Sequence, residues 1–142
     1  GIVAPADGLQ ARFSARHGVA VGLLDGRAGL AQFSDTRATQ PDVSRVRNLT
    51  NLVPTPDCDR DSVTITVRLT GGDDVEVHVA HARGSLVRPL TDAELDAKVD
   101  ALIEPVLGHG VAATIRRGID DIDTPTGFVD LVTAARPAGA RA

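Results

Sequence analysis

The chain has no methionine, tryptophan or tyrosine, a single cysteine and three phenylalanines in 142 residues. So few rings exclude a base-stacking platform for single-stranded nucleic acid, which needs successive aromatic faces. Cations offer no substitute. Fifteen Lys and Arg stand against nineteen Asp and Glu, a net charge of −4, whereas phosphate binding needs clustered positive charge. Cys58 alone can form neither an internal disulfide nor a cysteine-based metal site. Its loop, PTPDCDRDS, sets Asp57, Asp59 and Asp61 around the thiol, the opposite of the positive surroundings that make a reactive thiolate. No apolar run approaches the roughly 20 residues of a spanning helix, so no membrane segment is expected. The opening GIVAPADG has no basic region ahead of a long apolar core. A secretory leader is therefore not expected, and the cytoplasm is the expected compartment.

Several chemical motifs are missing as well. There is no Gly-rich loop ahead of Lys and Ser/Thr, no GxSxG and no HExxH. His78 and His81 are three apart, but alternation along a strand sends them to opposite sides, so no shared metal is expected. Lys98, the one lysine, falls on the exposed side of an amphipathic helix, which leaves Schiff-base chemistry without a candidate. No cofactor is expected. What is present is ordinary for a globular chain: 42% hydrophobic and 24% charged residues. A length of 142 residues suits one domain able to bury about 68% of its unfolded surface.

The stretch Phe13 to Gly26, FSARHGVAVGLLDG, organises the first part. Phe13, His17, Ala20 and Leu24 recur at helical spacing, with Val19, Val21 and Leu23 beside them. This predicts a mostly buried helix over about 12–24, stopped by Gly26. His17 is the one polar residue on that stripe. Either it is a core histidine with satisfied hydrogen bonds, or it points into a cleft as a proton-transfer group. Ser14 and Arg16 lie beside it. A second helix is predicted over 39–47, with Pro41 in its first turn and Val43 and Val46 inward. A short strand is predicted over 48–54.

The period then changes. Val63, Ile65, Val67 and Leu69 alternate with Thr64, Thr66, Arg68 and Thr70, and Gly71-Gly72-Asp73 signals a tight turn. Val75, Val77 and Val79 return, with Glu76 and His78 on the polar side. Two strands alone are marginal in water, so the hairpin is expected to pack on helices. A loop containing His81, Arg83, Gly84 and Ser85 follows. Thr91 to Glu94 reads as a capping box that opens a helix, with Leu95, Val99, Leu102, Ile103 and Val106 on one face and Pro105 kinking or ending it. His109 reads as a linker residue. Val111, Ile115, Ile119 and Ile122 mark another helix. A last one spans 126–135, with Phe128, Leu131, Val132 and Ala135 inward, and a frayed tail follows from Arg136. The fold class expected is α+β: a small antiparallel sheet built on a hairpin at about 62–80, packed against several helices.

Taken together, ARFSARHGVAVGLLDGRAGLAQFSD, the VTITVRLTGGDDVEVHV hairpin and HARGSLVRPLTDAELDAKVDALIEPVLG resemble the C-terminal part of the MmgE/PrpD family. That family includes 2-methylcitrate dehydratase and cis-aconitate decarboxylase. The resemblance runs from about Gly8 to Val132. It implies a single domain over 1–142, with 1–88 matching an α+β lid, 89–135 matching helices that return to a large helical domain, and 136–142 a tail. Most of the family's catalytic side chains lie in that helical domain, which nothing here matches. The resemblance places His17 where relatives often have tyrosine.

Three functions are therefore expected as alternatives. The chain could be a stand-alone lid-like lyase, isomerase or cyclase working by acid–base chemistry on a small carboxylate. It could be one half of a split dehydratase or decarboxylase. It could also be a binding or assembly domain. The expected catalytic residues are His17, Ser14 and His81. Arg16, Arg83 and Arg88 are the expected substrate anchors, because guanidinium pairs bidentately with carboxylate. Expected partners are a small-molecule substrate and either a second copy of the chain or a separate helical subunit, since faces left without the helical domain would be apolar.

Overall fold

The computed structural model describes residues 1–56 and 58–136. It divides into two compact units, Gly1–Val53 and Pro54–Ala142. The sequence reading drew its internal division later, at Arg88.

The first unit is helical. Short α1 (Gly8–Ala11) and α2 (Ala15–Asp25) are followed by a 3₁₀ turn (Leu30–Phe33), α3 (Asp35–Ala38) and α4 (Pro41–Leu49). Ser14 caps α2 by accepting from the His17 amide, and Gly26 ends the helix in the left-handed conformation at φ 68°, where a side chain would be strained. Ala20 and Val21 of α2 meet Val43 of α4, and Val46 packs against them. The buried stripe is thus Ser14, His17, Ala20 and Val21. Phe13 is not on it and stays 67% exposed, because it precedes the cap and helical spacing does not apply to it. Leu23 and Leu24 are exposed too, so α2 is less buried than its composition suggests. Residues 48–54 form no strand. Helix α4 continues to Leu49 and the chain beyond is irregular, since a strand needs a neighbouring edge to pair with.

The second unit begins with a hairpin of β1 (Val63–Val67) and β2 (Val75–Val79), joined antiparallel in the register Val63↔Val79, Ile65↔Val77, Val67↔Val75. Six β-branched residues thus share one face. On the other face Thr64 meets His78 Nδ1 at 2.9 Å, and Thr66 donates to Glu76 at 3.0 Å. The chain is α+β, as expected. The apolar face is less covered than expected, with Val63, Val75 and Val77 all exposed.

Helices α5 (Asp92–Leu107), α6 (Val111–Asp120) and α7 (Pro125–Ala134) complete the unit. The capping box is formed as read: Thr91 Oγ1 accepts from the Glu94 amide at 3.3 Å, and Glu94 accepts from the Thr91 amide at 2.9 Å. Pro105 does not end α5, which runs on to Leu107. Arg116 of α6 reaches Asp100 at 2.7 Å and Asp96 at 3.3 Å on α5. Helices α6 and α7 meet through small residues. Ala112, Gly118 and Gly127 are buried, whereas Ile119, Ile122, Phe128 and Val132, expected inward, are exposed. Close backbone approach leaves the large side chains outside the seam. No helix among the described residues is long and apolar enough to cross a membrane.

The packing of Gly8 gives a test. A Cβ there would lie 2.2 Å from the Phe33 carbonyl oxygen, whereas one on Gly22 would meet nothing within 4 Å. Gly8→Ala is expected to destabilise the first unit by about 1–3 kcal/mol through overpacking. Gly22→Ala, in the exposed interior of α2, is expected to stabilise it by roughly 0.5–1 kcal/mol. Urea unfolding of the two variants checks both signs.

Candidate functional site

Helix α2 presents His17 at its first full turn, directly after the Ser14 cap, and the side chain is fully buried. Its Nε2 lies 2.8 Å from the Gln32 carbonyl oxygen, and its Nδ1 lies 3.2 Å from Arg47 Nη1. A carbonyl can only accept and a guanidinium can only donate, so the partners assign the hydrogen to Nε2 and the lone pair to Nδ1. The Phe33 ring lies against the imidazole, with centroids 5.1 Å apart and tilted by 57°. Neither nitrogen has capacity left for a substrate. Of the two readings of this histidine, the geometry is that of a hydrogen-bonded core residue.

Arg47 was not singled out from the sequence. It lies four residues after Val43 and shares the inward face of α4. The same Nη1 also donates to the Ala38 carbonyl at 2.5 Å, and Nη2 donates to Ser44 Oγ at 2.9 Å. Burial pushes the guanidinium down from its ordinary value, and no carboxylate pairs with it among the described residues. Its position four after Val43 was the available signal.

Ser14 Oγ serves α2 as its cap, at 3.3 Å from the His17 amide. Arg16 is half-buried on the first turn of α2. Nearby, Arg37 spans the end of α2 and the start of α4, meeting Asp25 at 2.5 Å and Asp42 at 2.9 Å. Its hydrogen bonds hold both carboxyls below the usual carboxylate range, and the two aspartates raise the guanidinium in return.

The other candidate residues belong to the second unit. His81 leaves β2 and places Nδ1 3.2 Å from an Asp61 carboxylate oxygen, while the Asp61 carbonyl accepts from the Ala82 amide at 2.9 Å. Asp61 is a residue of this site that the sequence pattern does not single out. The paired register ends at Val63↔Val79, and Asp61 and His81 each lie two residues beyond it. The loop then closes tightly. Gly84 donates to the Arg88 carbonyl at 2.7 Å, and the Arg88 amide donates to Ser85 Oγ at 3.2 Å. Arg83 pairs with Glu94 of the capping box at 2.7 Å, while Arg88 has no carboxylate partner among the described residues. Ser14 thus meets His17 at the start of α2, while among the described residues no hydrogen bond or ion pair joins Arg16 to His17, or Arg83 or Arg88 to His81. No cluster of metal-ligating side chains occurs among the described residues. Cys58 is exposed, with its sulfur 3.0 Å from Ser62 Oγ.

Two measurements follow from the first unit. His17→Gln is expected to lower the unfolding free energy by about 1–3 kcal/mol, because one amide cannot satisfy both Gln32 and Arg47 in the same places. Ser14→Ala costs about 1 kcal/mol for the lost cap. The Arg37 pairs give a pH dependence. Asp25 and Asp42 bind protons less readily folded than unfolded, so their contribution is complete above about pH 4 and is lost as pH falls through the depressed folded values. Denaturation midpoints between about pH 4 and pH 2 are expected to fall more steeply in the native sequence than in Arg37→Gln.

A comparison with curated proteins returned no match. The model of the MmgE/PrpD C-terminal domain, in contrast, matches residues 1–124. The match spans the capped α2, the hairpin and α5–α6, the same blocks whose residues carry the resemblance, and it ends at Thr124, which caps α7. The chain belongs to the MmgE/PrpD C-terminal domain family.

Proposed function

We propose that this chain is the lid-side module of a cofactor-independent lyase or isomerase that acts on a small carboxylate by acid–base chemistry and is completed by a helical body. The observation that carries this division of labour is the sealing of His17. The residue at the position where relatives often place a tyrosine has both ring nitrogens engaged, by Gln32 and by Arg47. General acid–base catalysis needs a group within hydrogen-bond reach of the reacting proton, so the main proton transfers belong to the helical body. The apolar surface supports the same reading. The hairpin and α5–α7 expose Val63, Val75, Val77, Leu102, Val106, Ile119 and Phe128, apolar surface that association with a partner would cover. A helical body, on the same polypeptide or a separate one, covers them in this reading; in its absence a second copy of the chain does.

A stand-alone lyase, isomerase or cyclase is the competing function. It draws on Ser14 and His17, and the cap and core roles of those two side chains count against it.

The test is a cofactor-free assay on cis-aconitate and 2-methylcitrate, run with the chain alone and with the helical domain of a MmgE/PrpD dehydratase added. Native mass measurement of both samples accompanies it. Turnover and a joint mass only in the mixture are expected. Turnover by the chain alone, abolished in His17→Gln at unchanged melting temperature, would establish the stand-alone enzyme instead. A chain that neither associates nor supports turnover would sink the proposal.

A further inference from the structure

The four histidines differ in what surrounds them. His17 is sealed. His78 stands on the polar face of the hairpin and, among the described residues, meets only the Thr64 hydroxyl. His109 meets Glu104 at 3.0 Å but is 99% exposed, and Asp100 and Glu104 line the same shallow pocket, a setting that repels anions.

His81 differs from all three. Its side chain and that of Asp61 are 39% and 36% exposed, partly withdrawn from water yet reachable. The carboxylate only accepts, so Nδ1 carries a hydrogen, and in the neutral ring Nε2 keeps its lone pair. Among the described residues Nε2 has no partner. A base oriented through its far nitrogen by a carboxylate is the arrangement that general-base chemistry uses. The pair is also firmly mounted. The Ala82–Asp61 backbone hydrogen bond ties the two chain segments together just past the end of the β1–β2 ladder, and the Gly84–Arg88 hydrogen bond closes the loop behind it. Closure brings the backbone of Arg88, a guanidinium with no carboxylate partner among the described residues, back beside Gly84, three residues past His81.

We infer that His81, held by Asp61, is a proton-transfer site for a carboxylate ligand anchored by Arg88. The inference rests on the carboxylate chemistry proposed above and adds the residues of this chain that serve it. The step is a plain proton transfer. The Nε2 lone pair takes a proton from the ligand, Asp61 stabilises the resulting positive ring, and the same proton returns to the departing hydroxyl or to carbon. Asp61 acts through His81 and is a positioning residue. Arg83 is held by Glu94 and takes no part.

The test is ¹⁵N NMR of the imidazole rings in the full chain, titrated with citrate. In the native sequence His81 is expected as the Nδ1–H tautomer and His17 as the Nε2–H tautomer. Citrate is expected to shift Nε2 of His81 while leaving His78 and His109 in place. Arg88→Gln is expected to weaken that response about two- to fivefold, the scale of one exposed charge pair. Asp61→Asn is expected to erase the tautomer preference while the cross-strand contacts of the hairpin persist. A hydrogen found on Nε2 of His81 would overturn the inference. So would a citrate shift that is absent, shared equally by the exposed histidines, or unchanged in Arg88→Gln. The readout does not depend on turnover. A citrate response at His81 without turnover in the mixed assay would sink the proposed function and leave this site standing. Full turnover in His81→Gln would remove the site and leave the function.

Discussion

A buried guanidinium with no carboxylate beside it is the constraint on which the first half of this chain depends. Removing a cation from water is costly unless its donors are met, and Arg47 meets them with a ring nitrogen, a carbonyl and a hydroxyl. Those three acceptors come from α2, α3 and α4, and through His17 the network reaches the 3₁₀ turn at Gln32. The apolar contribution around it is small, since the buried residues are mainly alanines with Val21 and Val43. Where few large side chains are buried, directional bonds do more of the work of holding one arrangement. That is why His17 is engaged on both sides, and why it is unsuited to exchanging protons with a ligand.

The second half is held differently. Its hairpin is a ladder with a polar face cross-linked by Thr64–His78 and Thr66–Glu76 and an apolar face of six β-branched side chains. Its helices meet through Gly118 and Gly127, where large residues could not fit, and through the reach of Arg116 to α5. Ala112 is the one apolar side chain fully buried in this part among the described residues. Exposed valines and isoleucines of this kind are costly in water at about 25 cal/mol per Å². A module that joins a larger helical body would cover them on assembly, which links this surface to the proposed function.

Much of the local structure was legible in the sequence because its causes are local. The Gly26 stop of α2, the alternation of 63–79 around Gly71-Gly72, and the Thr91–Glu94 box are decided by a few neighbouring residues, and each formed where the pattern placed it. The family was legible for a related reason, since blocks of sequence in a fixed order carry it, and the match over residues 1–124 bears that out. What went astray was burial. Helical spacing placed Phe13, Leu24, Ile119 and Phe128 inward, yet all are exposed. Spacing says which residues share a face but not whether another element arrives to cover it.

The candidate site divides along the same line. That His17 would be either a core residue or a proton carrier was plain from its place on an apolar stripe. Only the tertiary structure decided between them, because Arg47, thirty residues away, and the Gln32 carbonyl had to converge on the two ring nitrogens. Asp61 lies only two residues before β1, but its contact with His81 forms beyond the paired register, where the two segments meet through the Ala82–Asp61 hydrogen bond. Caps, turns and alternation are short-range effects and can be read from the chain. Hydrogen-bond partners across long loops and the covering of apolar faces depend on how elements meet, and there the fold alone decides.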